Sequence, residues 1–151
     1  MQIIIHNSRR TLTLMQEDKP VFTCRAALGR DPLGPKKAQG DGRTPEGAYF
    51  ICLVKEHGKY GRSLGLSYPG PHDAQAAFEE GRIDRRTLDN VLLASTQRRR
   101  PPWGSSLGGE IYIHEGGAAS DWTQGCIALE EQDMDRLFPH HEQVDEVLIL
   151  P

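Results

Sequence analysis

Ile111-Tyr112-Ile113-His114-Glu115-Gly116-Gly117 is followed closely by Asp121-Trp122-Thr123-Gln124-Gly125-Cys126-Ile127, and this stretch decides the reading of the chain. A histidine ends an apolar, β-branched run and gives way to glycines. A cysteine follows a glycine and opens a second apolar run, Cys126 to Leu129. His114 and Cys126 are twelve positions apart on the two sides of one glycine-bordered loop. If the flanking strands pair as a hairpin, imidazole and thiol meet. A free thiol with a pKa near ~8.5 is mostly protonated at neutral pH, and a neighbouring imidazole that takes its proton makes it a nucleophile. Gly125 allows close backbone approach, and the amides of Gln124, Gly125 and Cys126 are candidates for an oxyanion site.

Working outward, Ile3 to Ile5, Thr11 to Leu14 and Val21 to Ala27 read as three short strands separated by polar or proline turns. Gly29 to Gly47 is a long loop rich in Gly, Pro, Lys and Asp, of the kind that often carries function. Ala48 to Val54 reads as one strand buried on both faces. A helix is expected from an N-cap at Asp73, with Ala74, Ala77 and Phe78 on its inner face. A second is expected from Asp84, with Leu88, Val91, Leu92 and Ser95 inward and Pro101-Pro102 beyond it. Arg98-Arg99-Arg100 reads as a solvated helix end. Asp133 to Phe138 is a short helix closed by Pro139, and Val147 to Leu150 is a final strand. The fold class is therefore β-rich, mainly β with inserted helices, and residues 1–151 form one domain.

Composition agrees. The chain has 151 residues, 16 glycines and 10 prolines, which favours turns over a helical bundle. Its net charge of -3 supplies no excess of cations for nucleic acid. No apolar stretch is long enough to span a membrane. Cys24, Cys52 and Cys126 include no CxxC pair and cannot all be paired in disulfides. Cys24 and Cys52 sit inside strand-like runs and read as core residues. Trp122 reads as a packing residue, Asp121 as a turn residue, and His72 and His140-His141 as surface. No metal site is expected.

These motifs together resemble the L,D-transpeptidase catalytic domain family (the YkuD type). The resemblance rests on Ile113-His114-Glu115-Gly116, on Thr123-Gln124-Gly125-Cys126-Ile127, and on the upstream Gly40-Asp41-Gly42-Arg43-Thr44-Pro45-Glu46-Gly47. It implies a β-sandwich with a catalytic cleft, Cys126 as nucleophile, His114 as its proton partner and no cofactor. The substrate implied is the peptidoglycan stem peptide. Cys126 would form an acyl-thioester at the third residue, resolved by an amine to give a 3→3 cross-link or by water to release D-Ala as an L,D-carboxypeptidase. Gly125, Gln124, Thr123, Glu115 and Tyr68 are the further residues expected at the oxyanion or substrate. Gln124 stands where the family often has histidine. Ala128 stands where it often has arginine, so a basic substrate contact is either missing or supplied elsewhere, by Arg43 or one of Arg98 to Arg100. Glu115 stands where the family has glycine, and its carboxylate reads either as a contact to the imidazole or a substrate amine or as a solvent-facing loop acid. These departures motivate the alternative of a weak or inactive stem-binding module. A monomer is expected. The substrate implies the periplasm or envelope, whereas no signal peptide is legible at the N-terminus, which leaves cytoplasmic residence or export by a signal-less route.

Overall fold

The structure is a computed structural model that describes residues 1–151. Nine strands form two sheets. The first sheet has the order β3-β2-β1-β9-β4, with β1 Gln2–His6, β2 Thr11–Gln16, β3 Lys19–Arg25, β4 Gly47–Tyr49 and β9 Glu146–Leu150. The second has the order β5-β6-β7-β8, with β5 Ile51–Gly58, β6 Gly61–Leu66, β7 Tyr112–His114 and β8 Ile127–Ala128. Alternation drives the first sheet. Ile3 and Ile5 on β1, Leu12 and Leu14 on β2, and Val147 and Ile149 on β9 all turn to one side and are buried. A slip of one residue would send that whole set to solvent, so the register is fixed. On the other face Thr13 and Thr23 meet through their hydroxyls at 2.9 Å.

Leu64, Leu66, Ile113 and Ile127 from the second sheet join these residues in one core of 21 buried side chains, to which Met134 and Leu137 of α3 (Glu131–Leu137) also belong. Two further helices, α1 Pro71–Glu79 and α2 Arg85–Thr96, lie outside the sandwich. They bury Ala74, Ala77, Leu88, Val91 and Leu107 in a separate cluster.

Several elements differ from their sequence reading. The expected strand Ala48–Val54 is two strands in different sheets, broken at Phe50, and β5 is largely exposed. A seven-residue apolar run thus serves as the crossover between layers. α1 starts at Pro71 with Gly70 as N-cap; Asp73 is its third residue and accepts the Gly70 amide at 2.8 Å. In α2 the N-cap is Asp84 as expected, but the buried face is Leu88, Val91 and Ala94, with Leu92 exposed. Pro139 does not end the last helical stretch; it opens a 3-10 turn over Phe138–Gln143. Finally, β7 and β8 are parallel, with Ile113 opposite Ile127 and His114 opposite Ala128, so the loop between them is a crossover and not a hairpin.

Candidate active site

The parallel pairing decides what faces the cleft. Ile113 and Ile127 point into the core. Tyr112, His114 and Cys126, offset by one position from them, fall on the opposite face. All three line one cleft of about 440 Å³ together with Tyr60, Trp122, Thr123 and Gln124. Sequence reading thus placed Cys126 and His114 together, although by the wrong connection.

His114 is 3% exposed. Its Nδ1 is hydrogen-bonded to the Glu115 carbonyl. A carbonyl can only accept, so Nδ1 carries the proton and Nε2 is left as the basic nitrogen. Burial holds the His114 pKa below its ordinary value, offset in part by the Glu115 carbonyl. The ring is therefore neutral at pH 7. It packs in a triangle of rings: Tyr60 stacks on it at 4.8 Å and 22°, Trp122 meets it edge-on at 5.6 Å, and Tyr60 and Trp122 meet each other at 5.1 Å. Trp122 thus packs against Tyr60 and His114, and that packing sets it, 36% exposed, in the wall of the cleft.

Cys126 Sγ donates to the Glu110 carbonyl and accepts from the Tyr112 amide, each at 3.4 Å. In this conformation it makes no hydrogen bond to His114. Burial pushes its pKa up, opposed by the Tyr112 amide and by the Lys36 ammonium. At rest the cleft therefore holds a neutral thiol and a neutral imidazole. Burial raises the other thiols as well, Cys52 to about 11 and Cys24 to about 12.

The cysteine loop is held by backbone. Thr123 Oγ1 donates to the Cys126 carbonyl at 2.7 Å and accepts the Gly125 amide at 3.1 Å. Gly125 has φ 136°, and a Cβ there would lie 2.6 Å from the Arg43 carbonyl oxygen, so only glycine fits. Its amide, spent on Thr123 and buried, cannot serve an oxyanion; that part of the expectation is corrected. The amides of Gln124 and Cys126 have no protein acceptor. On the other side the Arg30 amide donates to the Thr123 carbonyl at 2.9 Å, and the Gly29 amide to Thr44 Oγ1 at 3.0 Å. The upstream glycine motif therefore buttresses the cysteine loop.

Three expected contacts fall elsewhere. Tyr68 is fully buried, donates to the Leu107 carbonyl at 2.8 Å and lines a different cavity, so it is a core residue. Glu115 turns away from the imidazole and pairs with Arg62 at 2.8 Å; those hydrogen bonds lower its pKa despite opposing burial. Arg43 pairs with Asp31, while Arg98 and Arg100 cover Phe50 and Trp103. The cations of the cleft are instead Arg30, Lys36, Lys55 and Lys59. Asp121 does more than turn the chain: it pairs with Arg10 and accepts the Leu28 amide. No group of three or more His, Cys, Asp or Glu side chains is placed to hold a metal. No helix is long and apolar enough to cross a membrane.

A two-sheet β domain presenting a cysteine and a histidine in one cleft is the class that fold and site define. The chain belongs to the L,D-transpeptidase catalytic domain family, YkuD, whose model matches residues 1–149. Among solved structures it is similar to the helical cell shape determining protein Pgp2 of Campylobacter jejuni, with a TM-score of 0.67 and 20% identity over 98% of this chain and 46% of that one. It is also similar to Bd1075 of Bdellovibrio bacteriovorus (TM-score 0.58, 16% identity, 98% and 46% covered). An L,D-transpeptidase of Xylanimonas cellulosilytica gives a TM-score of 0.55 at 12% identity, with 98% and 59% covered. The chain thus spans about half the length of these neighbours, and at such identities the likeness is one of fold. No curated protein sequence matches.

Proposed function

We propose that the chain is a cysteine-dependent L,D-acyltransferase of peptidoglycan stem peptides. The carrying observation is the juxtaposition, in one cleft, of Cys126 with an imidazole whose Nδ1 is pinned and whose Nε2 is free. The thiol leaves the Glu110 carbonyl by rotating about χ1 and gives its proton to His114 Nε2. The sulfur attacks the carbonyl of the third stem residue, and the amides of Gln124 and Cys126 receive the oxyanion. His114 returns the proton to the departing D-alanine amine, leaving a thioester on Cys126. An amine of a second stem, or water, attacks the thioester; His114 takes its proton and returns one to the sulfur. Amine gives a 3→3 cross-link and water gives carboxypeptidase action.

The test is mass spectrometry of muropeptides incubated with the protein. New dimers report transfer, and loss of alanine without dimers reports hydrolysis. Cys126→Ala is expected to abolish either product, a loss of roughly ten-thousand-fold or more, with unchanged circular dichroism. A carbapenem is expected to give one covalent adduct, on Cys126 and on neither Cys24 nor Cys52. Stem binding without products or adduct would favour the inactive binding module instead.

A further inference from the structure

The molecule carries a net charge of -3, yet its cleft is lined by four cations and one carboxylate, Glu110. Lys36 is neutralised within the wall by Asp41 at 3.0 Å. The other three, Arg30, Lys55 and Lys59, take part in none of the ion pairs of the molecule. They stand on opposite walls. Arg30 staples the cysteine loop through its own amide, whereas Lys55 lies on β5 and Lys59 at its turn into β6. The lysines are held over cleft rings: Lys55 Nζ is 4.9 Å from the Tyr112 centroid and Lys59 Nζ 5.3 Å from that of Tyr60. Tyr112, the ring under Lys55, packs edge-on against Trp103 at 5.8 Å, so the Lys55 end of the cleft is walled by aromatics and its ammonium is the charged group presented there. Unpaired cations on a wall of rings, with a single carboxylate among the lining, describe a site for carboxylate groups.

We infer that the cleft selects the acidic form of its peptide, a donor stem whose side-chain and terminal carboxyl groups are free, gripped by Arg30 on one wall and by Lys55 and Lys59 on the other. This rests on the stem-peptide reading above and names the chemical form of the substrate. Amidation of the side-chain carboxyls removes the charge while keeping the shape, so it is the discriminating change. Exposed cations act through a screened field, so the preference must weaken with salt.

The experiment uses Cys126→Ala protein, which binds without turnover, and two synthetic tetrapeptide stems, one with free side-chain carboxyls and one with them amidated. Titration calorimetry at ionic strengths of about 20 mM and about 300 mM brackets the screening range. The free acid is expected to bind about tenfold tighter at low salt, with the gap closing at high salt. Lys55→Gln combined with Lys59→Gln is expected to remove most of that gap; Arg30→Gln, on the opposite wall, is the second variant and is expected to narrow it. Equal affinity for the two peptides, tighter binding of the amide, binding of neither, or a gap untouched by all three substitutions overturns the inference. Turnover by the unmodified protein is followed on the same peptides. Selective binding without cleavage would sink the acyl-transfer reading and leave the selection standing. Cleavage of both peptides with equal affinity would do the reverse.

Discussion

Tyr60 is given no chemical step in the proposed reaction, yet its ring covers the imidazole proposed to carry the proton. Its stack on His114 contributes to the burial that holds the histidine pKa down. Removing the ring admits water, and the pKa rises toward the ordinary value of about 6.5. Below its pKa the histidine is protonated and cannot act as base, so a raised pKa moves the acid limb of the pH profile upward. Tyr60→Ala is expected to show that shift with roughly tenfold lower kcat/KM, while Tyr60→Phe, which keeps the ring, retains the parent profile. A purely structural role would lower the rate of Tyr60→Ala without moving the limb. Cys126 is the converse case. Burial raises its pKa, so alkylation by iodoacetamide in the free protein is expected to climb with a midpoint above the ~8.5 of an ordinary thiol; a midpoint below that value would mean a preformed thiolate–imidazolium pair. His114 and Cys126 were legible because a histidine and a cysteine bordered by glycines and apolar runs are local patterns. Tyr60 was not. Its place follows from the β6–β7 register, in which Ser63 lies opposite His114, and no local spacing reveals a cross-strand neighbour. Glu115 was misjudged for the same reason, since its partner Arg62 lies on that same strand.

Among the elements, the loop between β3 and β4 behaves as a built part. Asp41 accepts the amides of Lys37, Ala38 and Arg43 at 2.8 to 3.1 Å and the Lys36 ammonium at 3.0 Å. Burial alone would raise its pKa, but these four donors outweigh it and the net shift is downward. A depressed carboxylate pKa contributes stability that is fully present above its unfolded value near ~3.9 and is lost as pH falls through the folded value. The Lys36 side chain is only 4% exposed, so removing Asp41 strands a buried charge. Asp41→Ala is expected to cost roughly 3 kcal/mol in urea unfolding. Combined with Lys36→Met it is expected to cost less than the single substitution, because no charge is then left unpaired. A double variant as unstable as the sum of the singles would show that the pair is not coupled. The sequence marked this loop as functional through its glycines and its Thr-Pro-x-Gly ending. What it left hidden was that Gly29, Gly42 and Gly125 come together: a Cβ on Gly29 would sit 2.1 Å from the Gly42 oxygen and 3.1 Å from Gly125 Cα. Strands with strict alternation, such as β1 and β2, were legible for the opposite reason, since one buried face writes itself into every second residue. The run 48–54 has no alternation, and an unbroken apolar stretch does not say whether it is one buried strand or a crossover between two layers.

At the scale of the whole molecule, the cleft stands on the second sheet while the first sheet supplies more of the core than the second does. Ile3, Ile5, Leu12, Leu14, Val147 and Ile149 pack in the same cluster as Leu64, Leu66, Ile113 and Ile127. The run that ends β4 at Tyr49 starts β5 at Ile51, and β8 leads through α3 back to β9, so the chain also joins the sheets covalently at two places. Neither sheet has a second core to fall back on, and the separate helical cluster of five residues is too small to support one. Unfolding should therefore be one cooperative event in which the site is lost with the sandwich. Ile5→Ala, a change on the central β1 of the first sheet and far along the chain from the cleft, is expected to cost about 3 kcal/mol, since Ile5 is wholly buried. In urea, far-ultraviolet circular dichroism reports both sheets. Trp103 and Trp122 both line the cleft, so their fluorescence reports that side of the molecule. The two probes are expected to give one midpoint in the parent protein, and one midpoint shifted equally in Ile5→Ala. If fluorescence kept its parent midpoint while circular dichroism moved, the second sheet would be holding the cleft together on its own, and the shared core would not be what positions Cys126 against His114.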